Sequence, residues 1–365
     1  MEEAVNEERV SYAGKRVYIG IDVHRAFFVA SCVSEGVVVK RCRMPPQSAA
    51  VISLITKYFP EAEVKTCYEA GFSGFWLHRE LHAAGVSNIV VHAASIEVAA
   101  NDRVKTDKRD SLKMAEQLSA GRLRGIRVPA VAEERRRLLT RTREQLMRAK
   151  RRVQIQIRMR LHQFGMFPAE IERVIRLADV EELLTGMDGE LQISISCVYS
   201  QWKHLIEQVK ELDSEISVQG ETDPLIAIYR SVPGIGPLTA HILSSELGDM
   251  SQFTNERALF SFTGLTPGEY SSGKSVHRGC ISRQGSARLR HVLVEAAWKA
   301  IRKDTVLKEF FERIAVKSGK KRAIVAVARK LIGRVRAAVR AHAQYEVGHQ
   351  KAADVSCGVK EPTIT

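Results

Sequence analysis

Paired cysteine motifs and long apolar runs are both missing from this chain, and each absence excludes something. The six cysteines (Cys32, Cys42, Cys67, Cys197, Cys280 and Cys357) stand apart, with no CxxC spacing. That argues against a zinc site or a disulfide framework and for a reducing compartment. No run approaches the ~18 apolar residues of a membrane span, and the opening MEEAVNEERVSYAGKR has no apolar signal core. No membrane partner and a cytoplasmic location are therefore expected. Acidic residues are in deficit too: 42 against 56 Lys plus Arg give a net charge of +14 over 365 residues. At 45% hydrophobic and 27% charged, the chain is globular and long enough for two or three domains. Its charge makes nucleic acid the leading class of partner.

The charge is uneven. Arg122 to Arg160 holds 14 Lys or Arg against 3 Glu, and Arg278 to Arg340 holds 18 against 4 acids. Two basic surfaces therefore flank a net acidic remainder, and polyanion binding is expected on them. A solvated face is the plain alternative for any single Arg-rich helix.

Four carboxylates stand out against this background: Asp22 in VYIGIDVHR, Glu69 in VKTCYEAG, and Asp107 with Asp110 in VKTDKRDSLKMAE. The first two close runs of β-type residues, and the last two share one turn at the entrance of a helix. Such acids can cage Mg²⁺, a hard ion that prefers oxygen ligands and acts on phosphates, with Mn²⁺ as a substitute. Strands are expected over Arg16–Asp22, Ala26–Ser34 and Gly36–Arg43, joined by short hairpin breaks, with a fourth over Glu63–Glu69 and a short fifth over Asn88–Val91. Helices are expected over Ser48–Tyr58, Phe72–Ala84 and Ala93–Ala100. A three-strand meander followed by alternating helix and strand makes a mixed sheet with packed helices. Acids closing the first and fourth strands, with an acidic helix later, form the pattern of an RNase H-like nuclease core.

Beyond this lies a long Arg-rich helix over Val131–Phe164 and a second helical run over Ile195–Ile216, able to pair as a hairpin or coiled coil. The pair reads either as a spacer or as a dimerising, nucleic-acid-clamping arm that includes Arg136, Arg143 and Arg151. Around Pro233-Gly234-Ile235-Gly236 two helical halves resemble a helix-hairpin-helix, whose backbone N–H groups at Gly234 and Gly236 can bind phosphate. An ordinary packing corner is the alternative. A long, turn-rich loop then carries Ser271, Ser272, Lys274, His277, Arg278, Arg283, Arg288 and Arg290, followed by helices over Ser286–Arg302 and Arg322–Arg340. A loop this long is functional or disordered. A hydroxyl beside Lys, His and Arg can serve as a nucleophile toward a phosphodiester, the cations neutralising transition-state charge.

Taken in order, GIDVHR, YEAG, KTDKRD, VPGIGPLTA, FTGLTPGEYSSGK and ISRQGSARLRHVL resemble the IS110 (IS116/IS110/IS902) group of bacterial insertion-sequence transposases, which are DEDD recombinases. The resemblance covers about residues 16–340. It implies an α/β plus α chain with an RNase H/RuvC-like domain (16–125), a helical, coiled-coil-like arm (126–220) and a mainly helical C-terminal transposase domain (221–342); the weakly patterned tail (343–365) lies outside it and is expected to be disordered. It also implies that Asp22, Glu69, Asp107 and Asp110 form the metal-binding quartet and that a serine nucleophile lies in the Ser-Gly dipeptide. This maps to Ser272, with Ser271 one position away. The implied partners are the element's DNA ends, a target DNA and a structured guide RNA, acted on by a homodimer or homotetramer. Arg25 stands where the family usually has Lys, and SSGKSVHRG replaces a run of Gly with Lys or Arg. Two other readings stay open on the residues alone: a metal-dependent junction resolvase or RNase H-type nuclease, in which Ser272 is a turn residue, and a non-catalytic architectural protein.

Overall fold

Alternating apolar residues from Val17 onward build the first layer of the chain. They form β1 (Arg16–Val23), β2 (Phe28–Ser34) and β3 (Val37–Met44). After these come α1 (Ser48–Tyr58), β4 (Glu63–Glu69), α2 (Trp76–Ala83), β5 (Ser87–Val91) and α3 (Asp107–Ser119). The computed structural model describes residues 11–98, 106–166, 175–272 and 275–348. The chain divides into two compact units, residues 1–129 and 130–365.

In the first unit the strand order is β3-β2-β1-β4-β5. The β1–β2 and β2–β3 pairs are antiparallel, whereas β1–β4 and β4–β5 are parallel, so the sheet is mixed as expected. Each face is covered. Val51 and Leu54 of α1 and Leu77 and Leu81 of α2 pack on Ile19, Ile21 and Tyr68. On the other face Met114 of α3 packs with Cys67 and Val91. Burying one side chain such as Ile19 or Leu77, both at 0% exposure, contributes about 1.5–3 kcal/mol. The helix expected over Phe72–Ala84 begins only at Trp76, after a turn at 71–75. The helix expected over Ala93–Ala100 is corrected to a single 3-10 turn, Ala93–Ser95, followed by irregular chain; residues 99 and 100 lie outside the described ones.

The second unit is mostly helical: α4 (Val131–Gln163), α5 (Leu177–Thr185), α6 (Gly189–Thr222), α7 (Pro224–Arg230), α8 (Pro237–Leu247) and α9 (Glu256–Thr263). A hairpin of β6 (Pro267–Ser272) and β7 (Ser275–Ile281) follows, then α10 (Ala287–Ala300), α11 (Thr305–Ser318) and α12 (Lys320–Arg340). Buried Val153, Ile157 and Leu161 recur every four residues on α4, as one helical face requires, and meet Ile195, Tyr199 and Trp202 of α6. The two helices run antiparallel, since Arg160 bonds Ser194 while Arg143 pairs with Asp213. This helical arm and the C-terminal helices fall within one unit. Around α12, Val327, Leu331, Val335 and Val339 form the centre of a second core with Leu289 and Leu293 of α10 and Leu243 of α8.

The start of the expected disordered tail is ordered: Tyr345 is 8% exposed, and its hydroxyl donates to buried Asp304 at 3.0 Å. Residues 349–365 lie outside the described ones.

Candidate metal centre and serine hairpin

Asp22 and Glu69 end up at the same edge because β1 and β4 run parallel. Their register pairs Gly20 with Cys67 and Ile21 with Tyr68, so one further step sets Asp22 beside Glu69. Alternation along the strands then fixes the face. Ile21 and Tyr68 point into the core under α1 and α2, leaving Asp22 and Glu69 on the side of α3.

Gly20 lets α3 come close. A Cβ at Gly20 would lie 2.1 Å from the Ser111 carbonyl oxygen and 2.6 Å from the Ala115 nitrogen, so only glycine allows the helix to sit on β1 here. Ser111 also shares a 2.9 Å hydrogen bond with Ser31 of β2. One turn before Ser111 lies Asp107, so the first turn of α3 is delivered to the end of β1. Thr106 caps this turn through its hydroxyl, which accepts from the Arg109 N–H, and the helix N-terminus favours the acids Asp107 and Asp110.

The result is a tight cluster. His24 Nε2 lies 3.2 Å from Asp22 Oδ2 and 3.3 Å from Asp107 Oδ1. One donor atom from each of Asp22, His24 and Asp107 falls within 4.8 Å of the others. Partial burial raises the Asp22 carboxyl above its usual range; His24 pulls it back, and the charges of Asp107 and Asp110 push it further up. Glu69 is exposed at the neighbouring strand end. These donors fit a divalent cation: carboxylates converge in a partly buried place where their mutual repulsion is relieved only by positive charge. The sequence-derived quartet leaves out His24, although its position two residues after Asp22 in GIDVHR was a usable signal.

The basic residues divide into two groups. Several pair with acids or carbonyls of the second unit. Arg143 makes a two-pronged contact with Asp213, and Arg136 Nη1 donates to Asp223 at 3.0 Å. Arg288, 15% exposed, sits between Glu144, 2.8 Å from its Nε, and Glu246, 3.1 Å from its Nη1. Arg290 Nη1 donates to the Thr263 carbonyl at the end of α9. All four have partners in the protein, because acids and carbonyls of neighbouring helices face them. Arg151, Arg152 and Arg283 are exposed.

Gly234, at φ +88°, lets its turn approach α10, where a Cβ would lie 2.5 Å from the Ala296 carbonyl; Gly236 opens α8 with free space around it. The turn between α7 and α8 thus combines a packing glycine with an open one.

The serine region is a hairpin rather than a turn-rich loop. β6 and β7 are antiparallel, with Tyr270 opposite His277 and Ser272 opposite Ser275. Ser272 is exposed at the end of β6. Lys274 of the sequence-derived set lies outside the described residues, and Arg278 is placed by its backbone in β7, opposite Glu269.

An acidic cluster on a mixed sheet, in a chain with abundant exposed cations, has the makings of an enzyme that acts on DNA, and comparison with known proteins puts the chain among the transposases. A DEDD transposase model of the IS110 type matches residues 19–166, and a model described as transposase, IS116/IS110/IS902 family, matches residues 227–312. The protein y4rJ of Sinorhizobium fredii, named as a transposase, is 31% identical over 307 residues, covering 76% of each chain. The transposase for insertion sequence element IS1533 of Leptospira borgpetersenii is 27% identical over 307 residues, covering 78% of this chain and 85% of its own. The chain belongs to the IS110 family of insertion-sequence transposases. Among the described residues no helix is long and apolar enough to cross a membrane.

Proposed function

We propose that this transposase cuts and rejoins DNA with Ser272 as nucleophile and with a divalent cation, Mg²⁺ or its substitute Mn²⁺, held by Asp22, Glu69, Asp107 and Asp110. The convergence of Asp22 and Asp107 on one point at the end of β1, with Glu69 next in register, carries this reading. The strand order and the acids at strand ends support an RNase H-like core for the first unit. When bound, the cation polarises a phosphoryl oxygen and neutralises charge in the transition state. Asp22, Glu69 and the first turn of α3 do the positioning, since they come from elements packed on one sheet. The Ser272 hydroxyl attacks a phosphorus; an Oγ–P bond forms as the P–O bond to one deoxyribose breaks, the serine proton is lost and the freed sugar oxygen takes one up. Rejoining reverses these steps on another strand.

The exposed cations give a phosphate-contacting surface: Arg151 and Arg152 on α4, Arg283, and the run of Lys317, Lys320, Lys321 and Arg322 at the turn between α11 and α12. Gly236 at the open start of α8 suits the same ligand. Two basic stretches match what the element's ends, a target duplex and a structured guide RNA require, with the protein acting as a homodimer or homotetramer.

The test is a denaturation-resistant protein–DNA adduct, looked for with the wild type and with Ser272→Ala and Ser271→Ala. The adduct is expected with wild type and Ser271→Ala and absent with Ser272→Ala. Normal product from Ser272→Ala would make water the nucleophile and overturn the recombinase mechanism.

A further inference from the structure

The carboxylates at the end of β1 share their space with one nitrogen. His24 Nε2 is within hydrogen-bond distance of two of them, 3.2 Å from Asp22 and 3.3 Å from Asp107. An imidazole nitrogen holds at most one proton, so it cannot donate a full hydrogen bond to both acids at once. A shared cation meets the need of all three groups together. The spacing suits it: donors bound at about 2.1 Å stand roughly 3.0 Å apart at right angles and roughly 3.4 Å apart at the tetrahedral angle.

The imidazole is also held in place. His24 lies in the turn between β1 and β2, where its backbone N–H donates to the Phe27 carbonyl at 3.0 Å. Its ring packs against Phe27 with centroids 5.0 Å apart, and the Arg43 guanidinium sits 3.6 Å above the Phe27 ring. Phe27, itself covered by Arg43, thus packs against the His24 ring while Nε2 faces the acids.

We infer that His24 is a direct ligand of the cation and gives this site a nitrogen donor alongside its carboxylates. This rests on the proposed metal-holding role of Asp22 and Asp107. Its consequence is selectivity. Imidazole binds transition-metal ions far more readily than Mg²⁺, so His24 favours Mn²⁺ over Mg²⁺ at this site, while the carboxylates alone discriminate little.

The experiment uses the full chain with Mn²⁺ as the probe. Pulsed electron paramagnetic resonance of bound Mn²⁺ reads nitrogen coupling, and calorimetry reads Mn²⁺ and Mg²⁺ affinity, for wild type, His24→Ala, His24→Gln, Phe27→Ala and Asp22→Asn. Nitrogen coupling is expected in wild type and its loss in both His24 variants. Their Mn²⁺ affinity should fall at least about tenfold, with Mg²⁺ affinity changed less. Phe27→Ala should keep the coupling and weaken Mn²⁺ binding. Mn²⁺ bound without nitrogen coupling in wild type, but lost in Asp22→Asn, would overturn the role of His24 and leave the carboxylate site standing. Mn²⁺ binding unaffected by Asp22→Asn, or no binding at all, would overturn the metal site and the role of His24 together.

Discussion

Glu246 of α8 and Arg141 of α4 meet through two parallel hydrogen bonds, Nε to Oε1 and Nη2 to Oε2, each 3.0 Å long. Arg288 of α10 reaches the same carboxylate, and Arg137 of α4 donates to the Ser245 carbonyl at 2.7 Å. The Arg-rich helix therefore uses part of its charge to fasten α8 and α10. Removing the acid leaves these cations facing one another in a place where Glu246 is 7% exposed, and breaking such a pair costs about 3–5 kcal/mol. Glu246→Ala should lower the unfolding free energy of the second unit by about that amount, read by chemical denaturation. A loss under about 1 kcal/mol would show that the cluster contributes little.

Arg151 and Arg152 face solvent on the same helix whose Arg143 pairs with Asp213. Each of Arg151→Ala and Arg152→Ala should weaken DNA binding and reduce the slope of log affinity against log salt by about 0.9 for each phosphate that the arginine neutralises. Arg143→Ala should instead lower thermal stability and leave the slope alone. An unchanged slope in the first two would mark this face as solvated or as an interface between copies.

Gly20→Ala puts a methyl group 2.1 Å from the Ser111 carbonyl oxygen, so α3 must shift from β1. Overpacking of this kind costs about 1–3 kcal/mol, and here it also moves Asp107 away from Asp22. Both thermal stability and Mn²⁺ affinity should fall. Native metal affinity in a folded Gly20→Ala would show that the place of α3 does not set the site.

His241 of α8 is 1% exposed, and neither ring nitrogen has a hydrogen-bond partner among the described residues. Burial depresses its pKa; neighbouring Arg136 lowers it further, and Asp223 opposes them. The folded state therefore holds the ring neutral below the pH at which the unfolded chain takes up a proton, about 6.5. Stability is lost as pH falls through that value. Between pH 7.5 and 5.5 the melting temperature of wild type should drop more than that of His241→Gln. Equal drops would contradict this.

Much of the first unit is legible in the sequence. Ser48–Tyr58 and Glu63–Glu69 are read with the boundaries they adopt, because apolar periodicity and flanking breaks agree there. The acids at strand ends are visible for the same reason. Other features depend on partners far along the chain. The β6–β7 hairpin hides because PGEYSS and SVHRGCI are polar and lack clean alternation, so glycine and serine dominate the signal. Arg288 and Arg143 look like free cations until Glu246 and Asp213 are brought to them by folding. The helices α5 and α11 are short or flanked by charge, and nothing local marks Tyr345 as the residue that ties the chain after α12 back to Asp304. His24 belongs between these cases: its spacing from Asp22 is local, but its approach to Asp107 is set by α3.

Cleavage of element-end DNA by Asp22→Asn, Glu69→Gln, Asp107→Asn and Asp110→Asn, each first shown to melt like wild type, tests the account most directly. Each variant should lose strand cleavage while still binding DNA. Wild-type cleavage by any of the four would remove that residue from the centre, and wild-type cleavage by Asp22→Asn would contradict the account itself.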